Sequence, residues 1–352
     1  MVRRLIRTLS IRLNRSDGAS TSADNRATST TILLCCVDDR NASTHVKLVK
    51  KVLLWMLGIV GVLAIGLLVL AVWWFWPLDH TVPHGDECLD APQGEYLRCW
   101  DILVPSDLET PVPLLLDLHG YSSSKTGQRG LSGFEEIAVR EGFVVAWPQG
   151  IQRSWNAGGI QWLSPREAPE VPGQGCCGTA IFEEIDDVGF IRDMVAQLIR
   201  QYPIDPKRVY VTGLSNGCAM AQRLAAEASD LFAGAACMSM YLLSDVPTSY
   251  TPIPVMEVHG TVDRVVEYQE GKWNGAIKNF EHWRIRNGCS GEIEAVWREG
   301  RHELLRASGC TNGADVALLS VFDAGHLPYE GMALDLNTSE MAWTFLKEAM
   351  RR

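Results

Sequence analysis

The chain has 352 residues, 47% of them hydrophobic and 21% charged, which supplies a packed core and excludes wholesale disorder. Its net charge of −10 conceals a division: residues 1–51 carry ten Lys and Arg against four acids, leaving 22 basic and 38 acidic residues beyond them. A body so acidic repels phosphate backbones, and nucleic acid is thereby excluded as a partner.

Residues 14–31 are rich in Ser, Thr, Ala and Asn without an apolar period, so 1–51 reads as a basic, flexible, cytoplasmic tail. Residues 52–76 then run for 25 positions without a charged side chain. At 1.5 Å per residue this exceeds the ~20 residues that cross a ~30 Å hydrocarbon layer. Trp73, Trp74 and Trp76 cluster at the far end, where aromatic rings favour the interface, and Pro77 stops the helix. Lys47, Lys50 and Lys51 precede the run and hold the N-terminus in the cytoplasm. A buried core helix is the plainer reading, but the length and the lysine flank count against it. A cleaved secretory signal is the stronger rival. The apolar run is long for one, and Trp-Trp-Phe-Trp-Pro stands where small residues should mark a cleavage site. The reading is therefore a transmembrane signal anchor, with secretion after cleavage as the alternative. On either, the body from Leu78 onward is exported, to the periplasm or beyond the cell.

Eight of the ten cysteines fall in that body: Cys88, Cys99, Cys176, Cys177, Cys218, Cys237, Cys289 and Cys310. An oxidising compartment permits disulfides, without fixing their connectivity. No pair has the spacing of a zinc site, and Cys218 and Cys237 can also be read as buried free thiols.

Residues 77–95 hold Pro, Gly and acids and read as a linker into a domain over 96–352. Strands are expected over 99–104, 113–118, 143–147, 208–212, 234–238, 253–258 and 316–322, and helices over 131–141, 186–201, 217–228, 273–287 and 338–351. Several strands are continuous apolar runs, as in parallel sheets covered on both faces. The fold class is α/β, with a mostly parallel sheet and helices on both faces. The stretch 151–178 has no period, three prolines and five glycines, and reads as a long loop or cap.

Between the strand over 208–212 and the helix over 217–228 lies Gly213-Leu214-Ser215-Asn216-Gly217. Such a strand–turn–helix needs small residues two before and two after the serine, and it lifts the hydroxyl clear of the sheet. The Asn216 amide, at a helix N-terminus, then faces a developing oxyanion. An alcohol needs a base, and with this elbow the partners follow as acid and then His, each after its own strand. Asp263 lies beyond the strand over 253–258 and His326 beyond that over 316–322. Asp263 would fix the imidazole tautomer, and His326 would take the proton from Ser215. His259 competes for the role of base but reads as packing in the turn; Asp323 and Asp245 are misplaced for the acid. The turn His119-Gly120-Tyr121 after an early strand offers the Tyr121 amide as second oxyanion donor, or is only a tight turn.

Taken in order, Leu-Asp-Leu-His119-Gly120-Tyr-Ser, Trp155-Asn156-Ala-Gly, Cys176-Cys177-Gly178, Asp186-Asp187-Val-Gly-Phe, Gly-Leu-Ser215-Asn-Gly, His259-Gly-Thr-Val-Asp263 and Gly325-His326 resemble the polyhydroxybutyrate depolymerase/feruloyl esterase family of α/β-hydrolases. The resemblance implies the α/β-hydrolase fold, Ser215, Asp263 and His326 as the triad, a structural Asp187 at a helix start, and a Cys289–Cys310 disulfide. Two departures stand out: Leu327-Pro328-Tyr329 replaces a Trp soon after the catalytic His, and Cys218 replaces a smaller residue behind the elbow. The expected function is a serine carboxylic-ester hydrolase working through an acyl-enzyme, on feruloyl or acetyl polysaccharide esters or short polyhydroxyalkanoate esters. A catalytically silent membrane-tethered binding protein and an acyltransferase are the alternatives. No cofactor or metal is expected, since no nucleotide or metal-binding motif is present.

Overall fold

The computed structural model describes residues 55–56, 87–106, 108, 110–159, 178–269, 274–327 and 337–351. The chain divides into two units, Met1–Trp76 and Pro77–Arg352. Among the described residues no helix is long and apolar enough to cross a membrane. The span expected over 52–76 lies outside them, apart from the helical Trp55 and Met56.

In the second unit, ten strands among the described residues form one sheet: β1 (Glu87–Cys88), β2 (Cys99–Leu103), β3 (Val112–Leu118), β4 (Val144–Pro148), β5 (Ile204–Gly213), β6 (Gly234–Met238), β7 (Val255–Gly260), β8 (Ile293–Glu299), β9 (His302–Ala307) and β10 (Val316–Val321). Their order is β1-β2-β4-β3-β5-β6-β7-β10-β9-β8. The six central strands, β4 to β10 in that order, are parallel, and both margins are antiparallel. β3, β4, β6, β7 and β10 are buried along their whole length. Their continuous apolar runs follow from being covered on both faces.

The helices are α1 (Lys125–Ser132), α2 (Phe134–Glu141), α3 (Thr179–Phe182), α4 (Asp187–Gln201), α5 (Asn216–Glu227), α6 (Ala276–Arg286) and α7 (Thr338–Leu346). The period-two geometry of β3 splits its side chains between two cores. Leu114, Leu116 and Leu118 join Phe190 and Met194 of α4, Leu224 of α5 and Trp283 of α6. Leu115 faces the other way, towards Phe134 of α2 and Trp343 of α7. Each fully buried side chain of this size contributes roughly 1.5–3 kcal/mol. Trp343 stacks on Phe143 with ring centroids 3.8 Å apart.

Three expectations change. Residues 87–95 are not linker: Glu87 and Cys88 pair with β2, Cys88 is disulfide-bonded to Cys99, and Asp90 N donates to Gln197 Oε1 at 3.2 Å. The helix expected over 131–141 is two helices, because Gly133 adopts φ 70° and ends α1. An unexpected hairpin, β8–β9, lies at the sheet margin, turned by Gly300 at φ 53°. Of the two readings of Cys218 and Cys237, the disulfide is the one present, not the free thiols. The Cys289–Cys310 disulfide is present and closes the open end of the β8–β9 hairpin. Cys176 and Cys177 and most of the loop over 151–178 lie outside the described residues.

Candidate active site

Parallel strands all point their carboxyl ends the same way, so loops following β3, β5, β7 and β10 gather on one edge of the sheet. That edge receives His119-Gly120-Tyr121, Ser215, Asp263 and His326. Ser215 sits between β5 and α5 at φ 53° and ψ −118°, a backbone conformation that L residues rarely adopt. The turn is held by Ser215 N donating to Met238 O at 2.8 Å and Gly217 N to Leu214 O at 2.8 Å. Neither flanking glycine could carry a side chain. A Cβ on Gly213 would lie 2.7 Å from Leu118 O, and one on Gly217 would drive into the Leu118 and His119 carbonyls at the end of β3. The Asn216 N–H precedes the first intrahelical bond, Ala219 N to Ser215 O at 2.9 Å, and so begins the helix as an open donor.

The Asn216 side chain does not face solvent; it is clamped. Its Oδ1 accepts from Trp155 N at 2.8 Å and its Nδ2 donates to Trp155 O at 3.1 Å. Fully buried Trp155 in turn donates Nε1–H to His119 O at 2.9 Å. His119 donates from Nδ1 to Gly120 O at 2.8 Å and accepts Gly150 N–H at Nε2 at 3.0 Å, a pair of partners that fixes a neutral imidazole. The two oxyanion candidates, Asn216 and Tyr121, are thereby tied to one another through Trp155 and His119. Gly120 lies against the elbow: a Cβ there would be 3.7 Å from Ser215 Cβ. Tyr121 and Ser215 line the same cavity of about 630 Å³, with Met240, Leu242 and Val266 among its apolar walls.

The loops after β7 and β10 are stitched together. Thr261 N donates to Val321 O and Val262 N to Ala324 O, both at 3.0 Å, and Gly260 lies so close to the Ala324 and Gly325 carbonyls that no side chain fits there. This brings His326 Nδ1 to 2.7 Å from Asp263 Oδ2. Asp263 has no exposed side chain, whereas His326 is 20% exposed. Burial would raise the Asp263 carboxyl, but His259, His326 and the amides of Val266 and Val265 donate to it and hold it well below the usual carboxylate range. Ser215 Oγ makes no hydrogen bond among the described residues. In enzymes without substrate, bonds from nucleophile to base are often long and tighten later.

His259, read from sequence as turn packing, is wedged between acids. Its Nδ1 lies 2.6 Å from Glu257 Oε1, and its Nε2 lies 3.2 Å from Val266 O and 3.3 Å from Asp263 Oδ2. The spacing His259-Gly-Thr-Val-Asp263 was legible, but the buried Glu257 two residues earlier gave no signal within a strand pattern. Asp187 starts α4 and is fully buried against Arg98 Nη2 at 2.5 Å, while Asn156 N donates to its other oxygen at 2.7 Å. It cross-links the body rather than facing the cavity. Among the described residues no group of three or more His, Cys, Asp and Glu is arranged to hold a metal.

A mostly parallel sheet with a strained serine at the strand-to-helix elbow, followed by an acid and a histidine after later strands, is the α/β-hydrolase fold. Residues 180–280 match the family described as Phospholipase/Carboxylesterase. Feruloyl esterase B of Piromyces equi is 27% identical over 255 residues, which is 67% of this chain and 42% of that protein. Poly(3-hydroxyalkanoate) depolymerase C of Paucimonas lemoignei is 33% identical over 135 residues, 38% of this chain and 29% of that protein. The solved acetyl xylan esterase from Aspergillus awamori superposes with a TM-score of 0.52 at 17% identity, covering 72% of this chain and 94% of its own, a likeness of fold. The resemblance to the polyhydroxybutyrate depolymerase/feruloyl esterase family of α/β-hydrolases is thus borne out. The chain spans less than half the length of these curated relatives.

Proposed function

We propose that the protein is a serine carboxylic-ester hydrolase that works through an acyl-enzyme, with Ser215, Asp263 and His326 as its triad. The observation that carries this is the His326–Asp263 hydrogen bond of 2.7 Å on the sheet edge where Ser215 stands in its elbow. Donating Nδ1–H to Asp263 leaves the Nε2 lone pair of His326 to take a proton. Ser215 Oγ attacks the ester carbonyl and its proton passes to His326. The oxyanion is met by the N–H groups of Asn216 and Tyr121. Collapse expels the alcohol, which takes its proton from His326 and leaves an acyl group on Ser215. Water, deprotonated by His326, then releases the acid.

The relatives named for feruloyl, acetylxylan and poly(3-hydroxyalkanoate) esters support those substrate classes. The largely apolar walls of the cavity suit an acyl or aryl group. We place the enzyme on the exported side of a membrane, anchored by residues 52–76; the three disulfides among the described residues fit an oxidising compartment. Chromogenic acetyl, butyryl, feruloyl and hydroxybutyrate esters test the activity. At least one is turned over, and Ser215→Ala lowers kcat on the order of 10⁶-fold and abolishes fluorophosphonate labelling. Turnover of none by the folded protein sinks the reading. Activity that sediments with membranes supports the anchor, and soluble exported activity supports a cleaved signal instead.

A further inference from the structure

Beneath the Asp263–His326 pair, the hydrogen bonds continue inward rather than ending. Asp263 Oδ2 faces His259 Nε2 at 3.3 Å, and His259 Nδ1 faces Glu257 Oε1 at 2.6 Å. Glu257 Oε2 accepts from Asn279 Nδ2 of α6 at 2.5 Å. Asn279 Nδ2 also donates to Gln222 Oε1 of α5 at 3.0 Å, an oxygen that accepts from Trp283 Nε1 at 2.7 Å as well. Gln222 Nε2 closes the chain on Met240 O at 2.8 Å. His259 is fully buried and Glu257 is 2% exposed.

Both ring nitrogens of His259 face acceptors: a carboxylate on one side, a carboxylate and the Val266 carbonyl on the other. A neutral imidazole has one N–H, so it would aim a lone pair at one of these acceptors. The imidazolium satisfies both. It also supplies a positive charge between two buried carboxylates, whose burial beside each other without one is costly. Paired with Glu257, the His259 cation is locally neutralised, so it grips Asp263 without cancelling the negative charge that Asp263 presents to His326.

We propose that His259 is a positioning residue for ester hydrolysis, an imidazolium clamped by Glu257 that fixes the Asp263 carboxylate for His326. This rests on the serine-hydrolase reading of the same site. The other groups facing His259 fit the charge. Tyr268 packs edge-on to the ring at 6.0 Å and is bonded to Ser320 of β10, while Asn279, on the far side of Glu257, is neutral. Glu267 and Glu303 stand further out, bearing on Tyr241 and Tyr268. Burial opposes the positive ring, but the hydrogen bonds to Asp263 and Glu257 outweigh it and carry His259 up to about 9.

The test uses the full chain with an ester it hydrolyses. His259→Gln lowers kcat about 10–100-fold with KM within about threefold, the scale expected of a displaced catalytic group. Wild-type kcat/KM falls as pH rises through about 9; that limb is missing in His259→Gln and moves to lower pH in Glu257→Gln. Independently of any variant's folding, ¹⁵N-histidine spectra of the wild type show both His259 nitrogens protonated at pH 7. A single protonated nitrogen, or a folded His259→Gln with wild-type kcat and pH profile, overturns the proposal. An inactive wild type instead overturns the hydrolase reading and the proposal with it, so the two failures are distinct.

Discussion

At the residue scale, the elbow depends on what is missing at two positions. Gly217 lies against the end of β3 so closely that one methyl group collides with backbone rather than with a movable side chain. Gly217→Ala therefore destabilises the fold by about 1–3 kcal/mol, as overpacking does, and lowers activity further by tilting Ser215; denaturant midpoints and kcat separate the two effects. The Arg98–Asp187 pair sets a different kind of dependence. Both side chains are wholly buried, and the guanidinium also lies 3.8 Å over the Phe190 ring. Arg98→Ala strands a buried carboxylate, and removing one member of such a pair costs roughly 3–5 kcal/mol. A loss within about 1 kcal/mol in urea unfolding is incompatible with the pairing, since a surface substitution costs that little.

At the element scale, one disulfide fastens a hairpin whose own core is thin. The β8 strand is exposed along most of its length, so its hairpin gains little from burial. Cys289–Cys310 closes a loop of 21 residues around it, which chain-entropy arguments value at about 3 kcal/mol. The double variant Cys289→Ser/Cys310→Ser lowers Tm accordingly, and hydrogen exchange in 293–307 accelerates more than in β3 or β10. Cys218–Cys237 joins α5 to β6 directly behind Ser215, so on the proposed mechanism its loss is read in kcat as well as in Tm.

At the scale of the whole molecule, the titrations of three buried groups shape stability against pH. Asp263 is depressed, so its contribution is present above the ordinary carboxylate range and is lost only in strong acid. Asp117 is raised to about 6 by burial, against the hydrogen bonds of Gln128 and Trp147. Its contribution is complete below an unfolded value of about 3.9 and is lost as pH rises through about 6. His259 contributes fully below about 6.5, and that contribution is lost as pH rises through about 9. Thermal unfolding therefore shows Tm falling between about pH 6.5 and 9 in the wild type, a fall that is shallower in His259→Gln. An equal fall in both proteins removes His259 from the account.

The sequence by itself determined the elbow, the order of serine, acid and histidine, and the central strands. Those signals are local: small residues where backbone approaches backbone, and unbroken apolar runs where both faces are covered. It also carried the charge division and the apolar run over 52–76. The tertiary structure decided what depends on distant partners. Trp155 gripping Asn216, Glu257 beneath His259 and Cys218 paired with Cys237 join positions 61, 2 and 19 residues apart, and no periodicity marks such meetings. The β8–β9 hairpin escaped because β8 is exposed and charged and buries too little to leave an apolar pattern, while β9 is only partly buried. Ser215 itself was legible as a motif, but the strain of its backbone and the clamp on its neighbour exist only once β3, β5 and α5 are packed together.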